Sequence, residues 1–243
     1  ALAGMLRIDH IMGLHRAFWV PAGFSAAEGL YVHHRGDEYY AILSLESHRH
    51  QVQIVGENLG TVPFYVNEAM ARRNLLGMHV GVFAVNASSE RALDNVAVNT
   101  VASLNTHDTT PFMGFWTGAD IEDRFQLGLL TQAQAEQEQQ FRAAQRLALI
   151  EFLENRCLLS KDHAAPDAVL KAWLAFLAQN EEAFLLINLE DLWLEPAPQN
   201  TPGTWQERPN WQRKARLSLE AIRQSDSIVQ VLQTISDIRG RVG

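Results

Sequence analysis

The sequence predicts an α/β fold built on a parallel sheet, and three observations carry that prediction. Short apolar β-type runs alternate with helix-type segments along the chain, which implies parallel strands joined by right-handed crossovers. Three strand ends, at Asp9, Glu57 and Asp108, carry a carboxylate, the way catalytic side chains are mounted at the C-terminal face of a parallel barrel. The composition, 243 residues with 47% hydrophobic and 20% charged, suits a globular chain with one sizeable core.

Met5 to His10 reads as the first strand: a short apolar run ending in polar residues. Met12 to about Tyr39, rich in Gly, His and aromatics, is too long for a simple connector and reads as a functional loop. Ala41 to His50 is a short helix whose His48‑Arg49‑His50 end suits its dipole. Gln53 to Gly56 is the second strand, and Thr61 opens a helix with Pro63 in its first turn that runs to about Asn74.

Met78 to Val85 and Val98 to Asn105 are the third and fourth strands. Asp120 to Leu130 and Gln132 to Arg156 are helices, the second capped by Thr131 with Leu147, Ile150 and Leu153 as its apolar stripe. Pro166 to Gln179 is a further helix and Ala183 to Asn188 the fifth strand. Glu195 to Thr204 is turn chemistry throughout, followed by helices at about Trp211 to Arg223 and Asp226 to Arg239. The sequence holds no internal repeat and no low-complexity tract.

The net charge of −8 is spread over scattered acids and argues against nucleic acid as a partner, in favour of a neutral or cationic ligand. The single cysteine, Cys157, excludes an internal disulfide framework and fits a reducing cytoplasm. Beside Leu158 and Leu159 it reads as a buried core thiol. No apolar run approaches the ~20 residues of a membrane span, so no membrane partner is expected, and no export signal is visible.

Retention at a glycosidic bond requires one carboxylate as nucleophile and a second carboxyl group that protonates the leaving oxygen. Asp9 and Glu57 are candidates for that pair, because a barrel sets successive strand ends side by side. Asp108 is the candidate for holding sugar hydroxyls and favouring the positive charge at the anomeric carbon. Arg7 lies two residues before Asp9, on the same face of the strand, and is placed to keep Asp9 ionised. Strand-end acids are also common caps and turn residues, so spacing alone does not name the reaction.

A set of motifs does. Leu6‑Arg7‑Ile8‑Asp9‑His10‑Ile11‑Met12‑Gly13‑Leu14, Gly29‑Leu30‑Tyr31‑Val32, Leu45‑Glu46‑Ser47 with Arg49‑His50, and Gly56‑Glu57‑Asn58‑Leu59‑Gly60‑Thr61‑Val62‑Pro63 stand in order. Thr106‑His107‑Asp108, Asn200‑Thr201‑Pro202‑Gly203‑Thr204 and Pro209‑Asn210‑Trp211 follow, so that nearly the whole chain resembles the amylomaltases, the 4‑α‑glucanotransferases of the α-amylase clan. The resemblance implies a TIM (β/α)8 barrel, a retaining double displacement on α-1,4-glucans, donor and acceptor malto-oligosaccharides as substrates, and neither cofactor nor metal. Asp9 matches the nucleophile, Glu57 the general acid/base and Asp108 the transition-state stabiliser. Arg7 and His107 match residues that orient the nucleophile and contact the donor sugar. Asn200, Pro202 and Gly203 match a loop over the acceptor side. In the family the nucleophile follows the fourth strand. Residues 1–243 therefore read as the C-terminal portion of one catalytic barrel domain, about strands four to eight, whose open sheet edges want the missing N-terminal half as a partner.

Two positions depart from the family. Asn58 replaces its usual Asp, which removes a negative charge beside Glu57 and would move the optimum for the acid role to slightly lower pH. Leu76 replaces a common Pro, which reads as a change to a turn only. The histidines at His33‑His34 and His48 to His50 read as loop and helix-end residues, not metal ligands. Gln132 to Gln140 reads as a solvated helix face. Trp173 reads as core, and Trp116, Trp193, Trp205 and Trp211 as candidate sugar platforms, the last two flanking the acceptor loop and Phe18‑Trp19‑Val20‑Pro21 forming an aromatic loop. The alternatives to glucan transfer are α-1,4-glucan hydrolysis and a non-catalytic glucan-binding fragment. The products formed from maltotriose separate them.

Overall fold

The structure is a computed structural model that describes residues 3–182 and 184–242. The chain folds as two compact units, one running to Met78 and taking in Asn99–Val101, the other formed by His79–Val98 and Ala102 onward. Both combine helices and strands, as an α/β chain should.

The first unit is organised by two parallel strands, β1 (Met5–Ile8) and, later in the chain, Gln53–Gly56. Their register pairs Ile8 with Gly56, so Asp9 and Glu57 are the first residues beyond two neighbouring strand ends. Between these strands lies the segment expected as one long loop. It instead holds a hairpin of β2 (Arg16–Trp19) and β3 (Leu30–His33), paired antiparallel, and then α1 (Gly36–His50), which starts earlier than its apolar pattern indicates. Gly13, Pro21, Gly23 and Gly29 punctuate two four-residue strands so closely that the stretch reads as turn chemistry. Asp37 and Glu38 in the first turn of α1 and His48, Arg49 and His50 in the last complement its dipole.

With the second parallel strand, β4 (Gln53–Gly56), the side-chain alternation of a strand serves two apolar clusters. Ile54 packs with Ile11, Tyr40, Val66, Ala69, Met70 and Leu75, and Val55 with Leu76 and Val101. Gly56 has to be glycine, because a Cβ there would lie 2.8 Å from Ile11 Cγ1 and from Met70 Cε. The helix expected from Thr61 is shorter: α2 spans Phe64–Ala71, with Pro63 just outside it and Asn74 left-handed at φ 53. Leu76 is not merely a turn residue. It forms a parallel bridge with Val55 and donates its N–H to Ile54 O at 3.0 Å, a bond that proline could not make.

The expected strand Met78 to Val85 is β5 (Gly77–Val80) followed by one helical turn, α3 (Gly81–Ala84). An apolar run of that length does not by itself distinguish strand from helix. The next strand, β6, is Thr100–Ser103, and the last lies over Phe184–Leu186, shorter than expected; Ala183 falls outside the described residues. Two helices, α4 (Phe112–Thr117), which the sequence reading left out, and α5 (Ala119–Gln126), precede α6 (Gln132–Asn155) and α7 (Pro166–Ala178).

Thr131 caps α6 through a reciprocal box with Gln134, as its sequence predicts. Its buried stripe is Gln145, Ala148, Leu149, Phe152 and Leu153, and Leu147 is exposed, because it falls off that i, i+3, i+4, i+7 face. Cys157 is also exposed, not core: at φ 57 it turns out of the helix end, while the next two residues fold back, Leu159 into the core. Helix α7 is buried nearly all round, with Trp173 fully enclosed near Phe112 and Phe115.

Strand β7 (Phe184–Leu186) completes a three-stranded sheet in the order β5, β6, β7. Leu189–Trp193 forms a 3-10 turn, and the chain closes with α8 (Leu219–Gln224) and α9 (Asp226–Val242). The helix expected from Trp211 begins only at Leu219, since Trp211 is left-handed at φ 62 and its N–H is held by Gln199 O. No described helix is long and apolar enough to cross a membrane.

Candidate active site

In the first unit the parallel register delivers Asp9 and Glu57 to adjacent strand ends, and backbone bonds lock them there. Glu57 N–H donates to Ile8 O at 2.9 Å and Ile11 N–H to Glu57 O at 3.0 Å. Glu57 is buried, and its two carboxylate oxygens accept the N–H groups of Leu59 and His10, each at 2.8 Å. Asp9 is exposed and paired with Arg7, Nη2 to Oδ1 at 2.8 Å. Arg7 also donates from Nε to Met78 Sδ, which fixes the guanidinium.

His10 stands between these acids and is a site residue the sequence reading did not single out. Its backbone is left-handed, φ 43 and ψ 61, a strained choice for a residue with a Cβ. The conformation aims the His10 N–H at Glu57, and it sets the ring between the acids, Nδ1 3.2 Å from Glu57 Oε2 and Nε2 3.8 Å from Asp9 Oδ2. One donor atom from each of Asp9, His10 and Glu57 lies within 4.8 Å of the others, compact enough for a metal ion. The contacts have the form of a bridge, with the two imidazole nitrogens facing different acids. Sequence spacing hides this trio, because Glu57 arrives only through the strand pairing.

The Asn58 amide is engaged by Met78 and Asn67. Its Oδ1 accepts from Met78 N–H and its Nδ2 donates to Asn67 Oδ1, each at 2.8 Å. Of the histidines expected in a loop, His33 instead ends β3, while His34 follows it with Nδ1 2.9 Å from Gly13 O; Glu46 pairs with Arg49 and His50 at the end of α1. Behind the site His15 Nε2 meets Tyr40 Oη at 3.1 Å; burial lowers the His15 pKa and raises that of Tyr40 to about 12.

In the second unit, the turn Thr106‑His107‑Asp108 follows β6. Asp108 N–H donates to Thr106 Oγ1, and Thr106 N–H to Thr109 Oγ1 at 2.7 Å. The Asp108 carboxylate meets Asn200 Nδ2 on Oδ1 at 2.7 Å and His107 Nε2 near Oδ2 at 2.9 Å. Asp108 and Asn200 are thus brought together by the fold although far apart in sequence.

The loop carrying Asn200, Pro202 and Gly203 is tied around Asn210, whose Oδ1 accepts Thr201 N–H and whose Nδ2 donates to Thr204 Oγ1. Gly203, at φ 82, makes the turn. Asp108, Asn200 and Pro202 line a cleft of about 820 Å³ that also meets Phe115, Arg142 and Arg208. That volume is in the range of small-molecule sites, roughly 300–1,000 Å³. The cationic lining residues are themselves paired, Arg142 with Asp120 at 2.8 Å and Arg208 with Asp123. Gly114 has to be small here, since a Cβ would lie 2.6 Å from Pro196 O.

The tryptophans divide. Trp116 and Trp193 are buried and belong to the core. Trp205 and Trp211 are exposed, with the ring of Trp211 5.6 Å from that of His107.

A family profile described as 4-alpha-glucanotransferase matches residues 1–219. A 4-alpha-glucanotransferase of Haemophilus influenzae is 32% identical over 232 residues, 93% of this chain and 33% of that protein. One from Mycobacterium tuberculosis is 35% identical over 216 residues, 86% of this chain and 30% of its own. The chain thus spans about a third of the length of the curated relatives it matches. In fold it is similar to an amylomaltase from Corynebacterium glutamicum, with a TM-score of 0.82 at 24% identity over 96% of this chain and 35% of that one. An amylomaltase from Streptococcus agalactiae in complex with acarbose gives 0.69 at 20% identity, over 97% of this chain and 41% of that one.

Proposed function

Because the chain belongs to the 4-alpha-glucanotransferase family, we propose that it carries the reacting carboxylates for retaining transfer of α-1,4-glucan segments between malto-oligosaccharides. In this reading Asp9 attacks the anomeric carbon of the donor while Glu57 protonates the departing glycosidic oxygen. The covalent glycosyl ester on Asp9 is then opened by an acceptor hydroxyl, whose proton returns to Glu57. Asp108 offsets the positive charge at the anomeric carbon in both steps. Arg7 holds Asp9 in line for attack, His107 contacts the donor sugar, and Asn200, Pro202 and Gly203 cover the acceptor.

One observation supports this reading above the rest: Asp9 and Glu57 directly follow two paired parallel strands, and one carboxylate oxygen of each lies within 4.8 Å of the other. Retaining pairs stand roughly 5–5.5 Å apart, and inverting pairs roughly 6.5–9.5 Å, to leave room for a water. The exposure of Asp9 beside a buried, doubly bonded Glu57 also suits a division of labour between nucleophile and proton carrier.

We read residues 1–243 as the C-terminal portion of a single (β/α)8 barrel domain, with β1, β4, β5, β6 and β7 as strands four to eight. The parallel β1–β4 ladder, the parallel Val55–Leu76 bridge and the order β5, β6, β7 support that count. Among the described residues β1 pairs only with β4, which leaves an edge for a strand from the N-terminal part of such a barrel. The chemistry asks for no cofactor, and the reading places the protein in the cytoplasm.

Incubation with maltotriose tests the proposal. Transfer yields glucose together with maltodextrins longer than the substrate. Shorter sugars alone would make the chain a hydrolase, and unchanged maltotriose would overturn the catalytic reading in favour of a glucan-binding fragment.

A further inference from the structure

Two loops of the second unit bring Asp108 and Asn200 into contact, and each loop is closed at both ends by a carboxylate from one short turn. Asp191 is buried, and its oxygens take different partners. Oδ2 accepts Asn105 Nδ2 at 2.7 Å, and Oδ1 accepts Phe112 N–H at 2.7 Å. Asn105 precedes Thr106‑His107‑Asp108 and Phe112 opens α4, so one carboxylate pins both ends of the segment that carries Asp108. The other face of the Asn105 amide is engaged too, with Oδ1 accepting Asn188 Nδ2 at 3.0 Å.

Glu190, the preceding residue, does the same for the second loop. Its Oε1 accepts Gln199 Nε2 and Arg213 Nη1, both at 2.9 Å, and its Oε2 accepts Arg213 Nη2 at 3.2 Å. Gln199 and Arg213 bracket the loop that carries Asn200, Pro202 and Gly203. Arg213 further donates to Ala197 O, and Gln199 O accepts Trp211 N–H, both at 2.8 Å.

Consecutive residues of a 3-10 helix project about a third of a turn apart, so neighbouring side chains reach different neighbours without competing. We infer that the 3-10 turn Leu189–Trp193 is a positioning device for the transfer proposed above, in which Asp191 sets Asp108, Glu190 sets Asn200, and their adjacency fixes the Asp108–Asn200 contact. Asp191 and Glu190 are positioning residues in this scheme; neither lies on the reacting atoms. The inference rests on the transferase reading for its consequence, though its geometry is testable without activity.

The experiment compares the full chain with Asp191→Asn, Glu190→Gln and the reciprocal swap Asn105→Asp/Asp191→Asn. Amide hydrogen exchange and maltotriose transfer are the readouts. Asp191→Asn turns one of the two acceptor oxygens into a donor that faces a donor, so exchange over residues 104–112 should quicken about tenfold or more with residues 199–213 held near wild type. Glu190→Gln should give the converse pattern. The swap returns every donor to an acceptor. The amide then at position 191 donates to the carboxylate at position 105 and accepts from Phe112 N–H, while that carboxylate still accepts from Asn188. It should therefore restore protection over 104–112.

In the transfer assay, Asp191→Asn should lower kcat about tenfold with little change in KM, and the swap should recover most of it. Equal loss of protection in both loops from either single variant would reduce the turn to general stability and overturn the inference. So would a swap that fails to fold or to restore protection. A wild-type chain without transfer, yet with the selective exchange pattern, would overturn the transferase reading and leave the positioning geometry standing.

Discussion

The main-chain N–H of His10 donates to Glu57 Oε2 at 2.8 Å, and it reaches that oxygen because His10 is held in the left-handed region at φ 43. A strained backbone residue between two candidate catalytic acids has a function worth its strain. Glycine adopts this conformation freely, whereas a β-branched residue resists it. His10→Gly should keep the Glu57 bond and leave stability within about 1 kcal/mol of wild type, and His10→Val should cost ~1–2 kcal/mol. Urea unfolding of the two variants checks the order, which a greater loss in the glycine variant would contradict.

Asn200→Ala removes a side-chain partner of the Asp108 carboxylate and leaves His107. Asp108 is half exposed, so water replaces part of the lost bond. Transfer from maltotriose should fall by about tenfold, the low end for a hydrogen bond to a charged group. Steady-state rates at saturating maltotriose measure it, and an unaltered kcat would show that Asn200 does not act through Asp108.

Burial pushes the Asp191 carboxyl up to about 6 from 3.8, against the bonds from Phe112 and Asn105 and helped by the charge of Glu190. The folded chain therefore holds this proton more tightly than the unfolded one. The contribution is fully present below the unfolded value and is lost as pH rises through about 6. Relative to Asp191→Asn, the wild-type chain should lose about 2 kcal/mol of stability between about pH 4 and about pH 7. Paired urea melts at the two pH values give this difference, and a gain over the same window would refute the sign.

Glu182 is buried and depends on Arg239, whose guanidinium donates to Glu182 Oε1 at 3.2 Å and to the carbonyls of Asn180 and Glu182. Arg239→Ala strands the carboxylate and should cost about 3 kcal/mol or more, and Glu182→Leu/Arg239→Met should cost clearly less. Thermal or urea unfolding separates the two. Equal losses would mean that the ion pair itself, not the stranded charge, sets the penalty.

What could be read from sequence and what could not divide along a physical line. That Asp9 and Glu57 directly follow strands was legible because an apolar run that stops at a carboxylate is a local pattern, and α6 and α7 because a capped 3.6-residue period is one too; Asp108 lies in a turn beyond β6, which ends at Ser103. The β2–β3 hairpin was not legible, since its strands are too short to outweigh the glycines and proline around them. Leu147 and Cys157 were misplaced because an apolar neighbour in sequence does not fix which way a helix or its last turn faces. Asp191 and Glu190 were missed for a related reason. An acid after a strand looks like a turn residue until the fold shows it buried among Asn105 and Phe112.

Trapping the glycosyl ester shows whether Asp9 is the nucleophile of the proposed retaining transfer. The Glu57→Gln chain should be given α-maltotriosyl fluoride, whose fluoride leaves without protonation, and then digested for peptide mass spectrometry. A maltotriosyl adduct is expected on the peptide bearing Asp9, absent when Asp9→Asn is added. An adduct on a different carboxylate, or the same adduct in the Asp9→Asn background, would contradict that role.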